Sequence, residues 1–270
     1  MSPERPREPH DPAPASRRWS GRLTGVIEAL RWAAMLVGLA VAALFLSWHA
    51  LTSVDFGYGV WYDVLEIDET IATYGPENHH RPGFHHTDRA ERERLFGAIV
   101  DAIHRNGAGL EELTYHLPDG RAVAPLLTPP EIVHLEDVAR LVNALNIAGV
   151  AGTVTFLLLA AHAGWRHARP PSGIRIAAVT GGVLVTGTAV ILLIGPVRVF
   201  YGLHEVIFPA DNPWFFYYED SLMSMMMQAP NLFGPIAAVW VLLALLPGAI
   251  IWFTLARFLC RRSGASGAGI

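Results

Sequence analysis

Four uninterrupted apolar runs constrain the fold of this chain more than any other feature of its sequence. A helix needs about 20 consecutive apolar residues to cross the hydrocarbon core of a bilayer. Each run reaches that length without Asp, Glu, Lys or Arg, which is not expected of a soluble core. The sequence therefore predicts an all-α polytopic membrane protein with transmembrane helices at about residues 32–51, 141–163, 176–197 and 235–256.

The distribution of arginine predicts how these helices are oriented. The chain has no lysine, and its arginines are concentrated before the first run, in the 164–175 connection and after the fourth run. Positively charged flanks stay on the cytoplasmic side, so these three regions are predicted to be cytoplasmic. Segments 52–140 and 201–232 are acidic instead, with 16 and four Asp and Glu residues, and are predicted to be extracytoplasmic.

The chain divides into a membrane domain and two tails. Residues 1–24, rich in proline and arginine, are predicted to form a disordered basic cytoplasmic tail. Residues 25–260 form the four-span domain, and residues 261–270 form a second cytoplasmic tail. The first span is expected to remain as an anchor, because no small-residue cleavage site follows it. Close helix approach is predicted at Gly149 and Gly152 of the second span and at Gly181, Gly182 and Gly187 of the third.

The first acidic segment is long enough for a small mixed extracytoplasmic module. Apolar residues at helical spacing predict a helix over 89–105, and a Pro-Asp-Gly turn in LTYHLPDGRAVAPL predicts a small hairpin. Thr128 and Glu131 form a capping-box pattern with Pro129 in the first turn. A helix is therefore predicted to begin there and to continue into the second span.

The second acidic segment carries far more apolar surface than a water-facing loop would. It contains seven Phe, Trp and Tyr residues between 201 and 218, followed by four methionines between 223 and 227. Aromatic rings favour the headgroup boundary, and methionine adapts to irregular apolar ligands. Two interpretations stay open: an interfacial aromatic and Met-rich loop that lines a lipid-binding cavity, or a loop that packs on the outer ends of the spans.

Two histidines are placed at the same end of the predicted bundle. His134 precedes the second span and His204 follows the third, so the spans could bring the imidazoles together for proton transfer. Each has carboxylates near it in sequence, and such a carboxylate could orient an imidazole and raise its pKa. These are Glu131 and Asp137 around His134, and Glu205, Asp211 and Asp220 after His204.

Other chemistry has weaker support in the sequence. Ser221 and Ser224 are possible nucleophiles, but neither lies in a nucleophile-elbow motif. Four histidines in ENHHRPGFHHTD could hold zinc or copper, although a solvated loop is the simpler interpretation. Cys260 falls on the cytoplasmic side and cannot form an intrachain disulfide, since it is the only cysteine. No nucleic-acid partner is expected.

Two motifs resemble those of a family of four-span bacterial membrane proteins, the lipoprotein intramolecular transacylases (Lit). The first motif, PPEIVHLEDVARL, supplies Glu131, His134, Asp137 and Val138. The second motif, HEVIFPADNPWFFYYEDSLMSMMMQAPNLF, supplies His204, Phe208, Asp211, Trp214, Asp220, Leu222, Pro230 and Phe233. Together with the four-span layout, the resemblance covers about residues 25–260.

The resemblance implies a reaction and its catalytic residues. The sn-2 acyl chain of a diacylglyceryl-cysteine lipoprotein would move to the cysteine's own α-amino group and give a lyso-form lipoprotein. His134 and His204 would be the catalytic pair, one as base and one as acid, at the extracytoplasmic face of the bacterial cytoplasmic membrane. Tyr201 or Tyr217 could stabilise the oxyanion, with Trp214 and the carboxylates in support, and no metal or soluble cofactor is needed.

Two alternatives remain from the residues themselves. One is another outer-face lipid acyltransferase or a lipid hydrolase that uses the same histidines. The other is a non-enzymatic, membrane-anchored metal-binding or sensory protein built on His79, His80, His85 and His86. The long acidic 52–130 stretch and this histidine cluster have no counterpart in the Lit pattern.

Overall fold

A computed structural model describes residues 15–265 and the side chains of residues 24–264. This part of the chain forms eight α-helices and one two-stranded sheet. In chain order they are α1 (Ala15–Thr52), α2 (Tyr58–Val64), α3 (Ile67–Tyr74), α4 (Arg89–His104), β1 (Thr114–His116), β2 (Ala122–Pro125), α5 (Pro129–Trp165), α6 (Gly173–Ile194), α7 (Pro196–Ile207) and α8 (Ala229–Ala265). The parts of the predicted tails at 1–14 and 266–270 lie outside the described residues.

Four of these helices, α1, α5, α6 and α8, are long and apolar enough to cross a membrane. The predicted all-α, four-span membrane protein is thereby confirmed. Two boundaries differ from the prediction. Helix α1 begins at Ala15, inside the predicted disordered tail, because no proline follows Pro14 in that stretch. Helix α6 ends at Ile194, not near 197, because Gly195 adopts a φ of +97° and Pro196 starts a new helix.

Helices α1, α5 and α8 pack together, and glycine sets the closeness of the α1–α5 contact. A Cβ atom at Gly149 would lie 2.3 Å from Cδ2 of Phe45, and one at Gly152 would lie 2.5 Å from Cγ1 of Val41. Only glycine fits at such a distance, which confirms the predicted close approach at these two positions. The helices therefore close tightly at this depth.

Helix α6 stands apart from this three-helix core. It has no buried residue in the described chain, and a Cβ atom at Gly181, Gly182 or Gly187 would meet nothing within 4 Å. The prediction of close approach at these glycines was wrong. Lipid tails are as apolar as leucine, so an apolar helix in a membrane gains little from a protein neighbour.

Residues 53–128 form a cap module on one end of the bundle. Helix α4 and the antiparallel β1–β2 hairpin confirm the mixed module predicted for the first acidic segment. The carboxylate of Asp88 accepts a hydrogen bond from the Glu91 backbone N–H and caps α4, whose apolar face buries Leu95 and Ile99. The apolar core of the cap module therefore lies next to the end of the helix bundle that the module covers.

The second acidic segment is more ordered than a loop. It comprises the last part of α7, an aromatic loop (residues 208–221) and a π-helical turn at Met223–Met227. Met225 and Met226 are buried against the cap module, and the Tyr58 hydroxyl donates to the Met226 carbonyl at 2.9 Å. Aromatic residues of the segment line a cavity, as the first interpretation requires, whereas these two methionines pack against the cap module; lipid binding stays a prediction.

Candidate active site

A cavity of about 590 Å³ lies where the cap module meets the cap-side ends of α5, α7 and α8. Its wall is largely apolar and aromatic, with few polar groups. Phe200, Phe208, Trp214, Phe215 and Phe216 lie on this wall together with both predicted histidines, His134 and His204. An apolar cavity with a few converging polar groups is typical of a binding site for an apolar ligand.

The two histidines meet in this cavity. His134 lies in the second turn of α5 and His204 lies in the last turn of α7. Their ring centroids are 6.0 Å apart, with an interplanar angle of 26°. Residues 70 positions apart are therefore close enough to act on one substrate.

The surroundings of His204 determine which of its nitrogens is free. Its Nδ1 lies 2.8 Å from the Phe200 carbonyl oxygen one helical turn earlier, and since a carbonyl can only accept, Nδ1 carries the proton. Nε2 then keeps its lone pair. Burial lowers the pKa of His204 below its ordinary value, while the Phe200 hydrogen bond acts in the opposite direction. At neutral pH this ring is an uncharged base.

His134 is more deeply enclosed, with 8% of its surface exposed. Its ring lies 5.0 Å from Phe208 and 6.1 Å from Phe216, centroid to centroid. Its ring nitrogens make no hydrogen bond to the described part of the chain. A nitrogen of His134 is therefore available to a substrate. Two cationic rings at 6.0 Å would repel each other, so the histidine pair holds at most one extra proton.

Asp137 anchors the aromatic loop and does not orient His134. Its carboxylate is buried and accepts hydrogen bonds from Arg140 and from Nδ2 of Asn212, the latter at 2.6 Å. The expected carboxylate–imidazole hydrogen bond is not formed. Asp137 acts on the site through the loop that carries Phe208, Trp214 and the other aromatic wall residues.

Replacing Asn212 by alanine is expected to loosen the aromatic loop. A hydrogen bond to a charged group contributes about 1.5–3 kcal/mol, so amide exchange in residues 208–221 should become at least about tenfold faster. Hydrogen exchange followed by mass spectrometry measures this directly. Asp211→Ala is the matched control, because the neighbouring Asp211 is exposed and its side chain has no hydrogen bond or ion pair among the described residues. Equal exchange in both variants would contradict the anchoring role.

Glu131 is fully buried and ties three segments together. It accepts hydrogen bonds from the backbone N–H and hydroxyl of Thr128, at 2.6 and 2.8 Å, and from the hydroxyl of Ser221. The predicted capping box is thereby confirmed. Arg81 of the cap module lies 3.8 Å from the same carboxylate. The start of α5, the end of the aromatic loop and the cap module thus share one buried anion, which is not aimed at His134.

The remaining predicted residues divide into three groups. The Trp214 ring lies between the other two, with its centroid 5.7 Å from that of Tyr201 and 5.2 Å from that of His204. Glu205 and Asp211 are exposed and have no partner among the described residues. Asp220 lies 2.9 Å from Nδ1 of His79 and 3.8 Å from Nε2 of His80, so it joins the cap module and not the histidine pair.

The clustered histidines and the two serines, on which other chemistry would depend, are not arranged as a metal site or a nucleophilic site. No three His, Cys, Asp or Glu side chains converge as a metal site in the described residues, the four clustered histidines included. Ser221 is buried and its hydroxyl donates a hydrogen bond to the Glu131 carboxylate. Ser224 lies on the cavity wall, but its hydroxyl donates to the Phe216 carbonyl at 2.7 Å. Neither serine has the arrangement of an activated nucleophile.

Three contributing residues were not predicted from the sequence: Phe200, Asn212 and Arg81. Gly195–Pro196 is a recognisable helix start, and a helix from there would have placed the Phe200 carbonyl one turn before His204. No local signal pairs Asn212 with Asp137 or Arg81 with Glu131. His104 also lines the cavity, but its nitrogens are occupied by the Val100 carbonyl at 2.8 Å and the Trp48 indole N–H at 3.0 Å.

A family model matches the segment of the chain that carries the candidate site. The family model described as lipoprotein intramolecular transacylase Lit matches residues 117–229, a range that contains both histidines. No curated protein matched the chain.

Solved structures of Lit from Bacillus cereus share the fold. A variant with a histidine replaced by arginine has a TM-score of 0.60 and 16% identity, and the match covers 92% of this chain and 99% of that one. A second Lit structure has a TM-score of 0.58 and 16% identity over 89% of this chain and 99% of that one. A histidine-to-alanine variant has a TM-score of 0.58 and 16% identity over 91% and 99%.

These structures are described as membrane-integral, and at 16% identity the likeness establishes a common fold. The present chain is accordingly a multi-pass membrane protein with four apolar helices. The resemblance to the lipoprotein intramolecular transacylase family that its two motifs indicated is confirmed, by the family model over the segment that carries both histidines and by the fold over most of the chain.

Proposed function

We propose that this protein is a membrane acyltransferase that moves the sn-2 acyl chain of a diacylglyceryl-cysteine lipoprotein to the lipoprotein's own N-terminal amine. The observation that carries the proposal is the histidine pair, 6.0 Å apart on the wall of an apolar cavity at the cap end of the bundle. The family whose model matches this segment is named for an intramolecular transacylation of lipoproteins.

The site lacks an activated nucleophile, and this reaction does not need one. Donor ester and acceptor amine belong to one molecule, so binding both groups in one cavity replaces the chemistry of an acyl-enzyme. The new bond joins the amine nitrogen to the acyl carbon, and the bond between that carbon and the sn-2 oxygen breaks. The amine loses one proton and the departing glyceryl oxygen gains one.

His204 is the proposed proton carrier. Nδ1 is held as a donor by the Phe200 carbonyl, which leaves Nε2 free to take the amine proton and then pass it to the departing oxygen. This use of a single imidazole keeps the proton count balanced. It also fits a ring that is neutral before reaction.

His134 is the proposed hydrogen-bond donor to the acyl carbonyl oxygen as negative charge develops there. A neutral imidazole that gave away its only N–H proton would become an anion, so a neutral His134 can donate a hydrogen bond but cannot act as the acid. Such donors, fixed in a site that excludes water, stabilise the transition state strongly. The ring nitrogens of His134 have no partner in the described chain that would compete with a substrate.

The site would face the extracytoplasmic side. The arginine-rich 164–175 connection lies between α5 and α6, at the end of the bundle away from the cap module. Arginine-rich flanks are usually retained in the cytoplasm, which supports an orientation with both termini inside and the cap module outside. Extracytoplasmic placement brings the histidines to the face where lipoproteins carry their lipid.

Mass spectrometry of a reporter lipoprotein's N-terminal lipopeptide tests the proposed function. The host should lack other N-acylating enzymes and should express the wild-type protein or an empty vector. We expect an N-acyl, monoacylglyceryl cysteine of unchanged total mass with the wild type only. A diacylglyceryl cysteine with a free amine in both strains, despite good expression, would refute the proposal, and loss of one acyl chain would indicate a hydrolase.

The proposed base predicts a pH profile. Transfer needs a neutral amine, whose ordinary pKa is about 7.7–8.0, and a neutral His204, whose pKa is held below its usual value near 6.5. The logarithm of the rate should therefore rise with unit slope from about pH 6.5 to the pKa of the amine and steepen only at lower pH. Rates in reconstituted vesicles measure this, and a slope of two throughout the range from pH 6.5 to 7 would contradict it.

A further inference from the structure

The cavity extends well beyond the histidines into the membrane-spanning part of the bundle. On α5 its wall runs from His134 through Val138 and Leu141 to Leu145. At a rise of about 1.5 Å per residue, His134 and Leu145 are about 16 Å apart along the helix axis. One leaflet of a bilayer has a hydrocarbon depth of about 15 Å, so this part of the cavity is about as deep as one leaflet.

The same compartment has a wall on α8 as well as on α5. Phe233, Ile236, Ala237 and Trp240 follow one another along one face of α8 at helical spacing. Both α5 and α8 start at the cap end, so Leu145 and Trp240 are the innermost wall residues of their helices. Leu145 is 54% exposed and Phe233 is 39% exposed, so wall residues of both helices are accessible from outside the protein.

An indole fixed by a hydrogen bond, that of Trp240, lies at the inner end of the compartment. The Trp240 N–H donates to the Leu44 carbonyl of α1 at 2.8 Å, and the ring packs edge-on against Trp48 at 5.3 Å. Trp48 is held in turn by its hydrogen bond to His104. Just beyond Leu145 along α5, Gly149 brings that helix into close contact with Phe45 of α1. The end wall is rigid because both indole N–H groups have partners.

We infer that the compartment between α5 and α8 holds the acyl chain that is transferred, and that Trp240 sets the longest chain it accepts. The inference rests on the proposed function and adds a specificity-determining residue to it. A chain that enters laterally would lie along α5 and α8, with its ester at the histidine pair and its methyl end toward the indole. A longer chain would clash with the indole and could not bring its ester to the histidine pair.

Variants at Trp240 and Ala237 should shift the chain-length preference in opposite directions. Methylenes are solvated equally well by lipid outside the compartment, so the discrimination must come from steric exclusion at the fixed indole. Forcing extra methylenes into a packed apolar site weakens binding by at least about fivefold. Trp240→Ala should therefore raise the relative transfer of a chain longer by two methylenes by at least about fivefold. Ala237→Leu, one turn nearer the histidines, should shift the preference toward shorter chains. Trp252→Ala is the matched control, because Trp252 is a buried indole of the same helix that packs on Trp32, outside this cavity.

The experiment uses the full-length protein in vesicles and a mixture of diacylglyceryl-cysteine lipopeptides whose sn-2 chains lengthen two methylenes at a time. Mass spectrometry gives the chain-length distribution of the N-acyl product, and competition for binding gives relative affinities without turnover. Opposite shifts for the two variants, with the wild-type distribution for Trp252→Ala, are expected. Normal transfer with unchanged distributions in both variants would overturn the inference alone. Neither binding nor transfer by the wild type would overturn the proposed function and the inference with it.

Discussion

Replacing His204 by alanine is expected to lower the rate of N-acyl lipopeptide formation by about 10²–10⁴-fold, which is the usual contribution of a general base. The variant should fold normally, because His204 is half-buried and its one polar contact is to the Phe200 carbonyl. The measurement is the rate of transfer in vesicles at matched protein levels. His86→Ala is the matched control, since His86 is exposed, its ring lies 3.9 Å from that of His85, and its side chain has no hydrogen bond or ion pair among the described residues.

The His134 variant completes this test. His134→Ala should lower the rate of transfer by about 10²–10³-fold if the ring donates a hydrogen bond to the developing oxyanion. Because the two rings act on one transition state, the double variant should lose much less than the product of the single losses. A wild-type rate of transfer in either single variant would refute the proposal that both histidines take part in catalysis. A strict multiplication of the two losses would indicate that the rings act in separate steps.

Replacing Glu131 by alanine is expected to lower the free energy of unfolding by about 3–5 kcal/mol. The change leaves the buried Arg81 guanidinium without its nearest anion and removes the acceptor of the Ser221 and Thr128 hydrogen bonds. Denaturant unfolding in mixed micelles measures the loss. Transfer should fall as well, because the end of the aromatic loop is released.

Glu136→Ala is the matched control for this variant. Glu136 is on the same helix but is half-exposed, with a 3.9 Å ion pair to Arg140, and such surface pairs contribute at most about 1 kcal/mol. Replacing Arg81 and Glu131 together by leucine should cost less than the sum of the single changes, because no unpaired charge remains. Equal stability of Glu131→Ala and Glu136→Ala would show that the buried network does not hold the three segments together.

The four spans and the cap module were predictable because their signals are local. An apolar run of membrane length has few alternatives to a transmembrane helix, and the capping box at Thr128 and Glu131 marks its helix start with two residues. The end of α6 was misplaced for a related reason. Gly195 and Pro196 form a helix-start signal, but both residue types also occur within transmembrane helices, so composition alone extended the predicted span past them.

The sequence by itself determined that this is a membrane protein and that His134 and His204 lie at one end of its bundle. The tertiary structure decided which partners the neighbouring carboxylates bind. Hydrogen bonds between distant residues depend on packing geometry and leave no periodic trace in sequence. Asp137 and Glu131 share a helical face with His134, yet they bond to Asn212 and Ser221, which lie 75 and 90 residues away. The depth of the cavity and the position of Trp240 at its inner end were likewise decided only where α1, α5 and α8 meet.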